Sequence, residues 1–245
     1  MHQIFKLNII CIFHLLTLIS YGAEYSSGVK QVEFIELFST QSCSSCPPAQ
    51  QKINSLKGQS ELWKTFIPIV YHVDYWDYLG WKDPFSNNNF TIKQQKYVKH
   101  WSKSSIYTPM FVINGKEGKN LDLKSLFSNK NVGNLHSIKT NEFQYSVSFD
   151  PSEKIPSHEL IIHWAILGNN ILTNVKSGEN SGKILTHDFL VLSEDQKNLI
   201  NIDNLYRQTI TVDIEKIKQF QDKSIVFWVT FKNGLDYIQA TGGKI

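Results

Sequence analysis

The sequence is poor in cysteine and in net charge. Three cysteines occur in 245 residues, and Cys11 lies in an apolar N-terminal segment that we expect to be removed. Only Cys43 and Cys46 then remain, so the chain is not a small fold held together by several disulfides. The 25 basic and 22 acidic residues leave a formal charge of +3, and the basic residues are scattered. This charge does not predict binding to nucleic acid or to an acidic membrane.

Long apolar segments are also scarce. Beyond the N-terminus, no stretch of the sequence is long and apolar enough to cross a bilayer. Residues 1–23 combine a weakly positive start, an apolar centre from Leu7 to Ile19 and small residues near Ala23. This pattern is typical of a secretory signal peptide, and the alternative is an uncleaved N-terminal anchor. We therefore predict a periplasmic or secreted protein with no membrane contact after cleavage.

The most informative stretch is an apolar run followed by two cysteines. Residues 32–38 predict a buried β-strand. A polar turn leads to Cys43-Ser-Ser-Cys46, and the prolines at 47 and 48 fit the first turn of a helix that ends near Lys57. Unpaired N–H groups at a helix start favour an anion and lower a thiol pKa. Because a thiolate attacks disulfides, we predict a redox dithiol in which Cys43 attacks and Cys46 resolves.

Two other interpretations of the cysteine pair are weaker. A zinc site needs four ligands, and the chain has no second cysteine pair. A structural disulfide is the other alternative, but a bridge that closes so short a loop would stabilise the fold little.

A second motif is Thr108-Pro109, which leads into a β-rich run and an Asn-Gly turn at residues 114–115. X-Pro bonds are the ones that adopt the cis form. We predict a cis-proline that faces the dithiol. In this interpretation Tyr107 and Thr108 contact a substrate strand, and Pro109 shapes its edge. The alternative is an ordinary proline at the start of a strand.

A third motif covers residues 72–85 and follows a second predicted strand, residues 66–73. His72 and Asp74 lie where that strand ends, at the sheet edge that carries sites in open α/β sheets. Asp74 is a candidate base that moves protons for Cys46, or else it caps the next turn. His72 is a candidate copper ligand together with the two thiolates. Trp76 belongs to an aromatic loop and is a candidate substrate contact, with lid packing as the alternative.

The second half of the chain has a different pattern. An amphipathic helix is predicted for residues 90–101, and from about residue 130 short alternating runs follow. These runs cover residues 143–149, 159–167, 185–192, 209–214 and 225–231, and polar loops separate them. They predict a β-sandwich-like module. A Gly-rich segment at residues 177–188 lacks the spacing of a phosphate loop and predicts a hairpin.

Three separated blocks resemble an exported bacterial family that has a thioredoxin-like fold and no assigned function. The blocks are Glu36-Leu-Phe-Ser-Thr-Gln-Ser-Cys43-Ser-Ser-Cys46-Pro-Pro-Ala, His72-Val-Asp74-Tyr-Trp-Asp-Tyr-Leu-Gly-Trp-Lys-Asp-Pro84-Phe and Tyr107-Thr-Pro109 with Asn114-Gly115. The segment Gly178-Glu-Asn-Ser-Gly-Lys also resembles the C-terminal half of that family. Met110 departs from the pattern, which has Gln there. The resemblance implies the fold but no particular activity.

These observations predict an α/β fold class. A signal peptide (residues 1–23) would precede a thioredoxin-like domain with a helical insertion (24–130) and a β-sandwich-like C-terminal module (131–245). The predicted function is an exported thiol–disulfide oxidoreductase that needs no cofactor. Its partners would be protein thiols or disulfides and a redox recycling partner. The alternatives are a copper-binding metallochaperone that uses Cys43, Cys46 and His72, and a non-enzymatic binding module.

Overall fold

The structure is a computed structural model, which describes residues 22–118, 121, 126–155, 159–213, 215–232 and 234–245. Residues 1–21 of the predicted signal peptide therefore lie outside the described part. None of the described helices is long and apolar enough to span a membrane.

Strands dominate the described residues, and only two α-helices accompany them. The strands are β1 (Glu24–Ser26), β2 (Glu33–Ser39), β3 (Phe66–His72), β4 (Met110–Ile113), β5 (Lys116–Gly118), β6 (Gly133–Lys139), β7 (Gln144–Pro151), β8 (Leu160–Gly168), β9 (Ile171–Asn174), β10 (Ile184–His187), β11 (Leu190–Asn198), β12 (Ile200–Ile202), β13 (Leu205–Thr211), β14 (Lys223–Phe231) and β15 (Tyr237–Lys244). The helices are α1 (Cys46–Asn54) and α2 (Asn88–His100), and short 3₁₀ turns cover Ser55–Gly58, Asp77–Leu79 and Glu215–Ile217.

The predicted fold class is wrong. The described residues form a β-rich fold with two short α-helices and several sheets, not an α/β thioredoxin-like domain with a helical insertion. One sheet has eight strands in the order β15-β14-β8-β11-β3-β2-β4-β5. Strands from both sides of the predicted boundary at residue 130 therefore belong to one sheet. Hydrophobic periodicity predicts that a strand exists, but it does not say which sheet the strand joins.

Two apolar cores lie on the large sheet. In the first, α1 and α2 contribute residues such as Ile53 and Phe90, which pack with β2 and β3. In the second, a five-stranded sheet of order β1-β6-β7-β13-β12 packs against β8 and β14, with Val147, Ile166 and Phe227 buried between them. Both faces of the large sheet are therefore covered, which accounts for the continuous burial of β2, β3 and β8.

The pairing of β2 positions the candidate site. This strand runs parallel to β3 and antiparallel to β4, and Phe38 pairs with Met110. The chain that leaves β2 after Ser39 therefore lies beside the residues that enter β4. Helix α1 begins with Cys46 directly after the turn, with Pro47 in its first turn, where a missing N–H costs little.

Candidate redox site

Two free thiols lie between the end of β2 and the start of α1. Cys43 is in the turn, and the backbone N–H of Cys46 donates to the Cys43 carbonyl at 3.2 Å. Both residues are buried, since Cys43 is 6% exposed and Cys46 is 1% exposed. Ser44 and Ser45 between them are exposed. The dithiol is thus a covered pair under an exposed turn.

The two thiols differ strongly in acidity. A hydrogen bond from Cys46 lowers the pKa of Cys43 to about 5, against the effect of burial, and the Ser45 hydroxyl adds a second hydrogen bond. The Ser45 Oγ lies 3.1 Å from the Cys43 Sγ. Burial raises the pKa of Cys46, and its contact with Cys43 raises it further. At neutral pH, Cys43 is therefore a thiolate and Cys46 a thiol.

The Thr108–Pro109 segment lies next to the dithiol. Its peptide bond is cis, as the sequence motif predicted. The Thr108 carbonyl oxygen lies 3.8 Å from the Cys43 Sγ and 3.5 Å from the Ser45 Oγ. The indole N–H of Trp76 donates to the Thr108 hydroxyl at 2.8 Å. The structure therefore brings two predicted site residues, Cys46 and Thr108, into contact with Cys43. Two more, Pro109 and Trp76, adjoin Thr108.

Tyr107 lies at the edge of this group. It is 41% exposed, and its hydroxyl donates to Glu117 at 3.0 Å. Its carbonyl oxygen accepts from the Gln94 side chain at 2.7 Å. Trp76 stacks with Tyr78, which is 75% exposed. Exposed aromatic rings thus border the Thr108–Pro109 segment.

Asp74 is not part of this group. Its carboxylate accepts a hydrogen bond from the Thr91 hydroxyl at 2.6 Å, and Thr91 lies in α2. Across the described ranges, no hydrogen bond joins Asp74 to either cysteine. The structure gives the predicted proton transfer between Asp74 and Cys46 no direct contact.

The side chain of His72 contacts Asp83 and His187, and neither contact involves a cysteine. It is fully buried, and its Nδ1 lies 2.8 Å from Asp83 Oδ2. Its ring packs against His187, with the ring centroids 4.9 Å apart. In the part of the chain that the structure describes, no three His, Cys, Asp or Glu side chains are arranged to hold a metal ion. No geometric observation therefore favours the copper hypothesis.

Asp83 holds the turn at residues 40–43 through hydrogen bonds, a role that the sequence did not predict. Its carboxylate accepts from the Gln41 N–H at 2.7 Å, the Thr40 hydroxyl at 3.1 Å and the Phe85 N–H at 2.9 Å. Although burial opposes ionisation, His72 and these hydrogen bonds lower the pKa of Asp83 to about 2. Asp83 lay within the third motif, but no sequence signal indicated that it would fold back under residues 40–41.

The C-terminal half of the chain also contacts the turn. The contact is made by residues 175–183, which connect β9 to β10 and are called the hairpin loop here. The buried amide of Asn180 donates to the carbonyl oxygens of Gln41 and Cys43, both at 2.9 Å. The Lys183 Nζ donates to the Asn180 side-chain Oδ1 at 2.8 Å and fixes that amide. The hairpin loop thus holds the backbone of Cys43.

A second contact of the hairpin loop reaches the exposed part of the turn. The Ser44 backbone N–H donates to Glu179 Oε2 at 2.8 Å, and this hydrogen bond lowers the pKa of Glu179. The Gly-rich pattern predicted only a hairpin here. Its one useful signal was that residues 178–183 took part in the family resemblance.

The site therefore belongs to a class with a buried, asymmetric dithiol on a β-rich fold. A family model described as "Protein of unknown function (DUF1223)" matches residues 34–230, so the chain belongs to that family. This confirms the predicted resemblance in its coarser form, a family of unknown function. No curated protein matches the sequence.

Two solved structures are similar. Protein AGR_C_4864 from Agrobacterium tumefaciens has a TM-score of 0.60 and 19% identity, and the match covers 87% of this chain and 94% of that chain. HBP35 of Porphyromonas gingivalis has a TM-score of 0.58 and 17% identity, and the match covers 89% of this chain and 76% of that chain. At these identities the similarity shows a shared fold alone.

Proposed function

We propose that this protein is an exported thiol–disulfide oxidoreductase that acts on protein substrates. One observation carries the proposal: an acidic thiol and a protonated thiol lie three residues apart and are hydrogen-bonded to each other. A structural cysteine buried among apolar groups is expected to have a raised pKa, whereas the pKa of Cys43 is lowered to about 5. Such a pair is suited to attack and then to resolve a disulfide.

The exchange proceeds in two steps. The Cys43 thiolate attacks one sulfur of a substrate disulfide, which forms a mixed disulfide and releases a substrate thiolate that takes up a proton. Cys46 then loses its proton and attacks the Cys43 sulfur, which forms the Cys43–Cys46 bond and releases the second substrate thiol. The substrate gains two electrons and the dithiol loses two. A redox recycling partner returns the dithiol to its starting state, and the same steps in reverse oxidise a substrate.

Substrate contacts are proposed on the side of the Thr108–Pro109 segment. Tyr107 and Tyr78 are exposed there, and Trp76 is held against Thr108 by its indole hydrogen bond. Aromatic side chains give large contact areas to a protein surface at a small entropic cost. Export is part of the proposal because residues 1–23 have the pattern of a signal peptide.

Insulin reduction tests the proposal, with each cysteine replaced in turn. Cys43→Ser should abolish turnover, and equal rates in wild type and Cys43→Ser would sink the proposal. Cys46→Ser is the matched control, because it keeps the attacking thiol and removes only the resolving one. It should accumulate a mixed disulfide with the substrate on a non-reducing gel, and Cys43→Ser should not.

A further inference from the structure

A small cavity lies beside the resolving cysteine, between α1 and β10. Its volume is about 120 Å³, and Cys46, Gln50 and His187 form part of its wall. Gln51 and Ile184 also line it, and both are exposed. One water molecule needs roughly 10–15 Å³ of such space. The cavity therefore has room for several waters between Cys46 and solvent.

His187 presents a hydrogen-bond donor without a partner. The indole N–H of Trp81 donates to Gln41 Oε1 at 3.0 Å, which fixes the orientation of the Gln41 amide. The Gln41 Nε2 is then a donor, and it lies 3.2 Å from His187 Nε2. Burial lowers the pKa of His187 to about 3, so the ring is neutral and its single proton is on Nδ1. Within the described part of the chain, this buried Nδ1–H has no hydrogen-bond partner.

Gln50 presents the complementary acceptor. It is 4% exposed, and its Nε2 donates to Asn54 Oδ1 at 2.8 Å and to the Asp188 carbonyl at 3.3 Å. Its buried Oε1 accepts no hydrogen bond from any described residue. Buried polar atoms are nearly always paired in folded proteins, with protein groups or with ordered water. Two residues of the cavity wall thus each carry an orphaned atom, one a donor and one an acceptor, which suits a ligand that both accepts and donates.

We propose that the cavity binds water, which links His187 and Gln50 and carries the proton of Cys46 to solvent. Water accepts from the His187 Nδ1–H, donates to Gln50 Oε1 and still has a lone pair for the thiol proton. This inference rests on the proposed function, because it concerns the resolving step. It also supplies the proton path that Asp74, bound to Thr91, does not provide.

The proposed step is balanced in atoms and electrons. In the mixed disulfide, the Cys46 thiol gives its proton to a cavity water, and the proton leaves through the water chain. The Cys46 thiolate attacks the Cys43 sulfur, so the Cys43–Cys46 bond forms and the bond from Cys43 to the substrate breaks. The substrate sulfur departs with the electron pair and takes a proton from solvent.

The test separates the two sulfur attacks in time. An aromatic disulfide whose thiol product is coloured reports both, because attack by Cys43 releases one coloured thiol and attack by Cys46 releases the second. In Gln50→Leu, the first phase should keep the wild-type rate. The second phase should slow about tenfold, which corresponds to the loss of one hydrogen bond of about 1.4 kcal/mol. Gln95→Leu, an exposed glutamine of α2, is the matched control and should change neither phase.

A folded Gln50→Leu protein whose second phase is as fast as that of wild type would overturn the inference. If this variant does not fold, the same two-phase assay on the wild-type protein in heavy water tests the inference. Proton transfer through water should slow the second phase more than the first, and equal slowing of both phases would refute the proton path.

Failure here is distinguishable from failure of the proposed function. The coloured reagent reacts with the dithiol whatever the natural substrate is, whereas insulin turnover tests action on protein disulfides. Two normal phases without insulin turnover would remove the oxidoreductase proposal and leave the water path standing. Insulin turnover together with a second phase that Gln50→Leu leaves at the wild-type rate would remove the water path and leave the oxidoreductase proposal standing.

Discussion

The Ser45 hydroxyl should hold the Cys43 thiol in its ionised form, and Ser45→Ala tests this directly. The hydroxyl lies 3.1 Å from the Cys43 Sγ. Ser45 also precedes α1 at the N-cap position, but its side chain makes no capping hydrogen bond. The substitution therefore removes a contact to the sulfur without removing a helix cap, which ordinarily costs about 1 kcal/mol.

The expected change in pKa follows from the energy of one hydrogen bond. A hydrogen bond to a charged group contributes about 1.5–3 kcal/mol, and Ser45 is exposed, so water replaces part of it. A loss of about 1.4 kcal/mol raises a pKa by about one. The pKa of Cys43 should then rise from about 5 to about 6 in Ser45→Ala.

Alkylation of the reduced protein across pH measures this rise. A thiolate of higher pKa is more nucleophilic, and the rise from about 5 to about 6 increases its intrinsic rate roughly threefold. Well below the pKa, however, the same rise lowers the thiolate fraction about tenfold. Ser45→Ala should therefore react roughly threefold more slowly than wild type near pH 4 and roughly threefold faster near pH 8. The two rate profiles should cross between these limits.

Ser44→Ala is the matched control, since no hydrogen bond among the described residues joins the Ser44 side chain to Cys43. A pKa in Ser45→Ala that equals the wild-type value, or an equal change in both variants, would refute the role of the Ser45 hydroxyl.

The pH dependence of stability gives a second test of the Ser45 hydroxyl. The folded-state pKa of Cys43 is depressed, so its contribution is present at high pH and lost as pH falls through about 5. Ser45→Ala should therefore lower the free energy of unfolding by about 1.4 kcal/mol above pH 6 and hardly at all near pH 4.

Three further predictions concern buried polar groups. Asp83→Asn should lower the free energy of unfolding in urea by about 3 kcal/mol at pH 7, because the hydrogen bonds from Thr40, Gln41 and Phe85 lose their charged acceptor; an unchanged midpoint would contradict this. Burial raises the pKa of Glu36 to about 7, so its stabilising contribution is lost as pH rises through 7. Glu36→Gln should flatten stability between about pH 4.5 and 7, and an unchanged slope would refute it. Asn180→Ala should speed alkylation of Cys43 severalfold by releasing two backbone carbonyls of the turn, and equal rates would exclude that role.

Local elements of the fold could be predicted because they depend on neighbouring residues. The strands at residues 32–38 and 66–73 and the helix after the dithiol agree with β2, β3 and α1 to within a few residues. The run at residues 185–192 was predicted as one strand and forms two, β10 and β11. Phe189 has a positive φ of 59°, and that turn of the backbone separates them. An aromatic residue gives no sequence signal for such a turn.

The fold class could not be predicted because it depends on which strands pair. Strand β3 pairs in parallel with β2, as a local β–α–β unit would, but its other neighbour is β11, more than a hundred residues later. That second pairing extends the sheet through β8 and β14. The nearly continuous apolar run of β8 indicates a strand that is covered on both faces, but it does not say which sheet that strand joins.

The same limit applies to the site, where the motif predicts the acidic thiol but not the remote residues that hold its turn. The spacing of Cys43 and Cys46 predicted an acidic thiol at a helix start, whereas the main cause in the structure is hydrogen bonding from Cys46 and Ser45. The donors lie within the motif, but the turn at residues 40–43 that leads into it is held by Asp83 and by Asn180. Because these two supports come from remote parts of the chain, the motif alone does not show how its turn is held.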